Sequence, residues 1–282
     1  MIGFVDLHLH TTASDGTLTP VETVAAAISA GLCAISITDH DSVDGVAPAR
    51  EAAGDALKVL PGVEISTVVG QSEVHILGYM LDCADQRLLD VLNLTREARA
   101  RRAREMVERL YSLGLRVDYD QIEALAGGGT LGRPHIARAL VSEGYVNSQA
   151  EAFRRFLRRG GPAYVERLRM SPGQAIGTIH DAGGAAVLAH PGLVREKRVV
   201  DGVLELGIDG IEAYHVDHTD AATESSLRVA DERGLLVTGG SDSHGPGGSV
   251  PVKIGCVVVP ERCAHELILW AERRDRHLEA GG

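Results

Sequence analysis

Short apolar runs that end in histidine, aspartate or glutamate constrain the fold of this chain more than any other feature. The first of these segments opens the sequence as Asp6-Leu7-His8-Leu9-His10. Four later segments share its character: Thr38-Asp39-His40-Asp41, Gly62-Val63-Glu64 with His75 behind it, Ala189-His190-Pro191, and Gly240-Ser241-Asp242-Ser243-His244. A strand that ends in such a residue points a metal ligand at whatever lies beyond the strand. The pattern therefore predicts a fold that gathers strand ends around one site for several metal ions.

The composition limits the class of protein. The chain has 282 residues, 44% of them apolar, which is enough for one large α/β domain or for a core with an insertion. Its net charge of −11 argues against a general nucleic-acid or membrane binder, although a metal cluster can still attract an anionic substrate. The four cysteines show no Cys-x-x-Cys spacing, and the sequence shows no signal peptide and no membrane-spanning run. We therefore expect a cytoplasmic protein with free thiols.

Strand-like and helix-like segments alternate in the first third of the chain and again after Pro172. Between about Leu88 and Leu157 the pattern is helical, with almost no strand signal. The predicted strands are Ile2–Val5, Cys33–Thr38, Leu57–Leu60, Val74–Leu77, Ala185–Ala189, Ile211–Tyr214, Leu235–Thr238 and Gly255–Val259. The predicted helices begin with the capping box Thr19-Pro20-Val21-Glu22 and continue with Val43–Ala53, Gln86–Leu113, Tyr119–Ala126, Pro134–Glu143, Ala150–Arg159, Pro172–Ala182, Arg198–Leu206, Thr219–Arg233 and Arg262–Arg274.

About seven strands with helices between them predict a parallel α/β barrel, in which the chemistry lies at the carboxyl ends of the strands. We expect residues 1–85 and 166–282 to form this barrel and to carry the metal-binding residues. Residues 86–165 are expected to form a helical insertion that covers the substrate site.

The predicted metal ligands are imidazoles and carboxylates, without a thiolate. His8 and His10 alternate on an extended strand, so both side chains point to the same face. The full set of candidates is His8, His10, Asp15, His40, Glu64, His75, His190, Asp242 and His244. Such mixed ligands suit zinc, manganese or iron and exclude an iron–sulfur cluster. Any one of them could instead be an ordinary hydrogen-bonded residue. This alternative fails for the group, because burying these side chains unpaired would cost about 1–3 kcal/mol each.

In the order in which they occur, these motifs resemble those of the PHP (polymerase and histidinol phosphatase) family, in its stand-alone metal-dependent phosphoesterase type. The matching segments are Asp6-Leu7-His8-Leu9-His10-Thr11, Ser14-Asp15-Gly16, Thr38-Asp39-His40-Asp41, Gly62-Val63-Glu64, Val74-His75, Ala189-His190-Pro191 and Ser241-Asp242-Ser243-His244. The resemblance implies a distorted seven-stranded (β/α) barrel with two or three divalent ions, which would be Mn, Zn, Fe or Mg. It also implies three ligand sets: His8, His10, Glu64 and Asp242; Glu64, His75 and His190; and Asp15, His40 and His244.

A glycine-rich segment provides a candidate phosphate site. Gly127–Gly129, Thr130, Leu131 and Gly132 lead into Arg133-Pro134-His135-Ile136, where proline suits the first turn of a helix. A helix start exposes backbone N–H groups to an anion, and Arg133 and His135 can add further donors. The alternative is a flexible loop before an ordinary helix. The resemblance assigns this Arg-x-His segment to the substrate phosphate.

Five further residues are substrate candidates, each with an alternative. Arg99 and Arg102 are three apart on a predicted helix and share a face, which could hold a nucleotide phosphate as in similar enzymes or could be a solvated basic face. Asp41 could contact the substrate or could orient a metal ligand. His218 and its neighbour His215 follow a strand and could touch the substrate or lie on the surface.

The predicted reaction is hydrolysis of a phosphomonoester by a hydroxide that bridges two ions, with His135 or His190 protonating the leaving oxygen. The resemblance favours a small nucleotide such as a 3′,5′-bisphosphate or AMP. Only 4% of the residues are aromatic, which argues against a stacking platform for long nucleic acid. The alternatives are a histidinol-phosphate phosphatase, a 5′-3′ exoribonuclease acting on short RNA, and a metal-binding accessory module without activity. An amidohydrolase is a weaker alternative, because none of the three lysines follows a strand end.

Overall fold

Within the described residues, the β-strands form one sheet that curls into a nearly closed barrel. The computed structural model describes residues 3–166, 170–248 and 251–281, so the predicted strand residue Ile2 lies outside it. The strands are β1 (Phe4–Leu9), β2 (Ala34–Ile37), β3 (Lys58–Val69), β4 (Ser72–Tyr79), β5 (Ala185–Leu188), β6 (Gly210–His215), β7 (Leu236–Gly240) and β8 (Val259–Pro260). The α/β barrel predicted from the sequence is confirmed.

Helices surround the barrel and also make up the long segment between β4 and β5. They are α1 (Pro20–Ser29), α2 (Val46–Ala53), α3 (Gln86–Ser112), α4 (Tyr119–Ala126), α5 (Arg133–Ser142), α6 (Gln149–Ala152), α7 (Pro172–Asp181), α8 (Lys197–Leu204), α9 (Asp220–Arg233) and α10 (Arg262–Gly281). The capping box predicted for α1 is confirmed, since the Thr19 side chain accepts from the Glu22 N–H while the Glu22 carboxylate accepts from the Thr19 N–H. No described helix combines the length and apolar character needed to cross a lipid bilayer.

The sheet is parallel except around β4 and at the short edge strand β8, which pairs antiparallel with β1. Its order is β7-β6-β5-β4-β3-β2-β1-β8, and β4 runs antiparallel to both β3 and β5. The cause is a two-residue turn, Gly70-Gln71, in which Gly70 has a φ of 59° and reverses the chain directly from β3 into β4. The barrel closes through a bridge between Leu9 of β1 and Ser243, just beyond β7. Barrel closure brings the first and last predicted ligand segments side by side.

The predicted strand Gly255–Val259 is wrong over most of its length. Only Val259 and Pro260 pair with β1, and they pair antiparallel. Gly255 has a φ of 74° and donates its N–H to a carboxylate oxygen of Asp6 at 2.9 Å. A side chain therefore holds this segment in a turn, where the sequence pattern predicts a strand ladder.

The long helix α3 belongs to two hydrophobic cores. Leu88 and Leu92, in its first half, pack into the core between the barrel strands and the surrounding helices. Ala103, Met106 and Leu110, in its second half, pack with α4 and α5 in a separate core. Residues 86–166 are all described and contain helices and turns but no strand. One continuous helix thus connects the core of the barrel with the core of the helices that follow it.

Candidate metal centre and phosphate site

The carboxyl end of β1 places two imidazoles in the barrel interior. His8 lies in the strand and His10 follows it, and both are buried, at 0% and 2% exposure. Their Nε2 atoms lie 3.5 Å and 3.1 Å from Oδ1 of Asp242, which follows β7. The alternation along an extended strand therefore directs both rings to one face, as the sequence predicts.

Glu64 lies at the centre of the cluster. Its two carboxylate oxygens face imidazole nitrogens at these distances: His75 Nδ1 at 2.7 Å, His40 Nδ1 at 2.8 Å, His190 Nε2 at 3.1 Å, His10 Nε2 at 3.3 Å and His8 Nε2 at 3.6 Å. The antiparallel register sets Glu64 opposite Leu77, so His75 lies diagonally across from it on the same face. Burial alone would raise the pKa of Glu64, but the surrounding imidazoles outweigh it and hold the pKa well below its usual value of 4.5.

A second group forms where the loop after β1 meets the segment after β7. Nε2 of His244 lies 3.4 Å from Oδ1 of Asp15, and the rings of His10 and His244 stack with their centroids 4.2 Å apart. Burial and the neighbouring His244 lower the pKa of His10 to about 4. Burial also disfavours the charged form of His244, but the carboxylates of Asp15 and Asp242 prevail and raise its pKa to about 10.

Three polar residues of the site have left-handed backbones, which side chains with a Cβ rarely adopt. The φ angles are 49° at Asp41, 28° at His190 and 53° at Asp242. Such conformations cost on the order of 1–3 kcal/mol each and persist where neighbouring contacts impose them. The N–H of Asp41, for example, donates to the carbonyl of Glu64 at 2.9 Å. Each of these positions follows a strand, namely β2, β5 and β7.

The buried donor atoms fit divalent metal ions. Several nitrogen and oxygen atoms of the cluster have no hydrogen-bonding partner among the described residues, namely His8 Nε2, His10 Nε2, Asp15 Oδ1, His40 Nδ1, Glu64 Oε2, His75 Nε2 and His190 Nδ1. Buried polar atoms without partners are costly, whereas imidazole nitrogen and carboxylate oxygen are the ligands that such ions prefer. Candidate ligand atoms also gather within 4.8 Å of one another, in the groups His10-Asp15-His40-His244, His8-His10-Asp242, His40-Glu64-His75 and His8-Glu212-His215.

The last of these groups contains two residues that the sequence reasoning did not include among the ligands. Glu212, in β6, is fully buried and contacts Nδ1 of His8 at 2.9 Å. His215 ends the same strand, and its Nε2 lies 3.5 Å from Oδ2 of Asp242. The available signal was a lone glutamate inside an apolar strand, Gly210–His215, where an unpaired charge would be costly.

The glycine-rich segment lies directly against the cluster. The N–H of Thr130 donates to the carbonyl of Ala13 at 3.0 Å, which ties the segment to the loop after β1. Gly132 is the N-cap of α5, and a Cβ added to it would lie 3.6 Å from Oδ2 of Asp15 and 3.7 Å from Nη1 of Arg99. The start of α5 therefore borders the candidate metal ligands, as a site for a shared phosphate group requires.

The two residues of the Arg-x-His segment have distinct environments. Arg133 donates to both carboxylate oxygens of Glu73, at 3.2 Å and 3.3 Å, and its guanidinium lies over the ring of Phe153. His135 is buried, and its Nδ1 accepts from the N–H of Gly132 at 3.0 Å. Burial lowers the pKa of His135, so the ring is neutral and Nε2 carries the proton.

Arg99 and Arg102 do not share an environment, although they share a helix face. Arg99 donates to Oδ2 of Asp41 at 2.7 Å and to the hydroxyl of Ser66 at 2.8 Å, close to the cluster. Arg102 is 8% exposed, donates to the carbonyl of Val165 at 2.7 Å and lies over the ring of Tyr164. Arg102 is therefore not part of a solvated basic face.

His218 has both ring nitrogens engaged by the backbone. Its Nδ1 lies 2.9 Å from the carbonyl of Ala213, and its Nε2 accepts from the N–H of Gly192 at 3.1 Å. Gly192 belongs to the 3-10 turn Pro191–Leu193 that follows His190. In this arrangement His218 supports the turn beside a candidate ligand.

Comparisons with known proteins agree with this geometry. A profile of the PHP domain matches residues 6–159, more than half of the chain. The chain is 38% identical over 249 residues to the 5′-3′ exoribonuclease Rnm of Escherichia coli, covering 86% of this chain and 85% of that protein. It is 36% identical over 251 residues to the 3′,5′-nucleoside bisphosphate phosphatase of Chromobacterium violaceum, covering 86% and 88%. A crystal structure from Bifidobacterium adolescentis, assigned as a metal-dependent phosphoesterase, is similar with a TM-score of 0.88 and 33% identity, covering 95% and 96%.

Proposed function

The chain belongs to the PHP family, and we propose that it is a metal-dependent phosphoesterase that hydrolyses a phosphomonoester of a small nucleotide. One observation carries this proposal. A buried carboxylate, Glu64, lies among imidazoles, several of which have a nitrogen without a hydrogen-bonding partner within the described residues, and the start of α5 lies beside them. Metal ligands and a phosphate site are thus adjacent, as phosphoester hydrolysis requires.

We assign two or three divalent ions, of Mn, Zn, Fe or Mg, to three ligand sets. The proposed sets are His8, His10, Glu64 and Asp242; Glu64, His75 and His190; and Asp15, His40 and His244. The short distances from Glu64 to His75 and His190 support its place in two sets. Ions bound there would supply a deprotonated water and neutralise the charge that develops on the phosphoryl oxygens.

Arg133 and His135 are the proposed hydrogen-bond donors to the reacting phosphate. The Nε2–H of His135 is a neutral donor, and the guanidinium of Arg133 offers two parallel N–H groups. In this structure the guanidinium donates to the carboxylate of Glu73. A bound phosphate would replace that carboxylate as the anion paired with Arg133. His135 and His190 remain the candidates for protonating the leaving oxygen.

Arg99 is the proposed contact for a second phosphate, and Arg102 its neighbour on α3. Both carboxylate oxygens of Asp41 are engaged, by Arg99 and by the N–H of Ser66. We therefore propose that Asp41 acts on the substrate through Arg99. His218 is assigned to the support of the turn after His190, because both of its ring nitrogens are taken.

A second candidate function is removal of nucleotides from the 5′ end of short RNA. The relative of this chain in Escherichia coli is a 5′-3′ exoribonuclease, and the relative in Chromobacterium violaceum acts on nucleoside bisphosphates. Both substrates present a phosphate beside a ribose. A panel that contains a nucleoside 3′,5′-bisphosphate, AMP, a short 5′-phosphorylated RNA and histidinol phosphate separates these activities by product analysis.

The decisive variants are His8→Ala and Asp242→Ala, with His180→Ala as a matched control. His180 pairs with Asp209 at 2.7 Å outside the candidate centre. We expect the first two variants to release no phosphate from any member of the panel while staying folded, and the control to keep wild-type rates. Activity near the wild-type level in either of the first two would refute the site.

A further inference from the structure

Glu212 connects two of the segments that carry candidate ligands. It lies in the middle of β6 with 0% exposure, and each of its carboxylate oxygens has a different partner. Oε1 lies 2.9 Å from Nδ1 of His8, and Oε2 accepts the backbone N–H of His190 at 2.7 Å. Both oxygens of this side chain therefore face nitrogen atoms of candidate ligand residues, and one of them accepts a backbone N–H.

The first contact sets the tautomer of His8. A carboxylate can only accept, so the proton of the neutral imidazole lies on Nδ1 and is donated to Glu212. Nε2 then presents its lone pair to the cluster, where it has no hydrogen-bonding partner among the described residues and lies 3.5 Å from Asp242 Oδ1. This is the tautomer that can bind a metal ion through Nε2.

The second contact holds the backbone of His190. This residue has φ 28° and ψ 57° and precedes Pro191, so its chain direction changes sharply just beyond β5. The N–H group at this turn is bound by Oε2 of Glu212, while the N–H of Ala189 donates to the carbonyl of His75 at 3.1 Å. The direction of the His190 side chain toward Glu64 depends on this turn.

We propose that Glu212 is a positioning residue that sets the His8 tautomer and the His190 turn together, so that both imidazoles are aligned for metal before an ion arrives. This inference rests on the metal-dependent activity proposed above, and it concerns a residue outside the predicted ligand set.

The test variant is Glu212→Gln, which has nearly the same shape. Its amide has one acceptor oxygen and one NH₂ donor, so it cannot accept from His8 and His190 at the same time. Asp209→Asn is the matched control, because Oδ2 of Asp209 also accepts from a histidine and from a backbone N–H, those of His180 and Ala186, at 2.7 Å and 2.8 Å.

Zinc affinity, measured by competition with a chromogenic chelator, is the readout. We expect Glu212→Gln to bind zinc about 10–100-fold more weakly, as for other partners of metal-binding histidines, and Asp209→Asn to match the wild type. Unchanged affinity in Glu212→Gln would overturn the proposal, and so would an equal loss in both variants.

A second measurement does not depend on the variant being folded. Long-range ¹H–¹⁵N correlation of the zinc-loaded wild-type protein should show the proton of His8 on Nδ1. A proton on Nε2 would overturn the proposal, as would zinc bound by Glu212 itself. If the wild-type protein binds zinc but releases no phosphate, the proposed function fails while the role of Glu212 is still decided; if it binds no zinc, both fail.

Discussion

Replacement of Glu64 by glutamine should destabilise the metal-free protein strongly. Glu64 is 1% exposed, and glutamine would keep its size while removing its charge. One oxygen faces His75 and His190 at 2.7 Å and 3.1 Å, and the other faces His40 at 2.8 Å. Only the first oxygen has hydrogen-bonding partners, His75 and His190, while the second faces His40 without a hydrogen bond; glutamine removes the charge that attracts all three imidazoles.

The magnitude follows from those contacts. Each hydrogen bond to a charged group contributes about 1.5–3 kcal/mol, and removing one member of a buried charged group costs about 3–5 kcal/mol. We therefore expect the free energy of unfolding of Glu64→Gln to be lower by about 3–5 kcal/mol near neutral pH. Because the folded protein holds the pKa of Glu64 well below 4.5, this stabilisation is complete above 4.5 and is lost as the pH falls through the lowered pKa.

Urea denaturation in the presence of a chelator measures this difference, with Glu97→Gln as the control. Glu97 is an exposed residue of α3, paired with Arg101 at 3.7 Å, and its loss should change stability by less than about 0.5 kcal/mol. The two unfolding curves of wild type and Glu64→Gln should also approach each other in acid. A difference below about 1 kcal/mol at neutral pH would show that the carboxylate does not hold the imidazoles together.

Four other outcomes are expected. Arg133→Ala should lower kcat/KM by about tenfold to a hundredfold, the loss of one charged hydrogen bond, with zinc content unchanged on elemental analysis. Adding manganese to the metal-free protein, at about a hundredfold excess over its dissociation constant, should raise the free energy of unfolding by about 2.7 kcal/mol, seen as a higher Tm. His180→Gln should lower the free energy of unfolding by less than about 1 kcal/mol, because the His180–Asp209 pair is partly exposed. The hydrogen bond to Asp209 raises the pKa of His180. Urea titrations should therefore show this difference below pH 6.5 and its loss as the pH rises through the raised pKa. Gly240→Ala should destabilise by about 1–3 kcal/mol in the same assay, because an added Cβ would meet the backbone and Cβ of His8.

The alternation of apolar and polar residues made the clustering of the candidate ligands predictable, because it determines which side chains lie at the ends of buried strands. His8 and His10 meet Asp242 as expected, although more than two hundred residues separate them. Helix starts with clear chemistry, such as the capping box at Thr19, were equally readable. The expected parallel direction failed at β4, where the decisive signal was a single glycine, Gly70, in a two-residue turn.

Features that depend on neighbours from distant parts of the chain could not be predicted from the sequence. The spacing of Arg99 and Arg102 gives their common helix face, but the packing of α3 against Tyr164 decides which of them is buried. The two hydrogen-bonding partners of Glu212, His8 and His190, come from other segments of the chain. The role of Gly255 likewise depends on Asp6 at the opposite end of the sequence. A local pattern carries no information on such pairings.

Because β4 runs against its neighbours, α3 starts beside the amino end of β5 and must travel the full height of the barrel. Its 27 residues correspond to a rod of roughly 40 Å. The first turns of α3 pack against the barrel, and Arg99 lies beside the strand that carries Glu64. The helices that follow pack against the far end of α3. Because Thr130 and Arg133 also bond to the barrel, at Ala13 and Glu73, a tilt of those helices would strain α3 and these two contacts together. Replacing the helices between α3 and α7 would therefore take Arg133 and His135 away from the site while leaving the candidate metal ligands on the barrel.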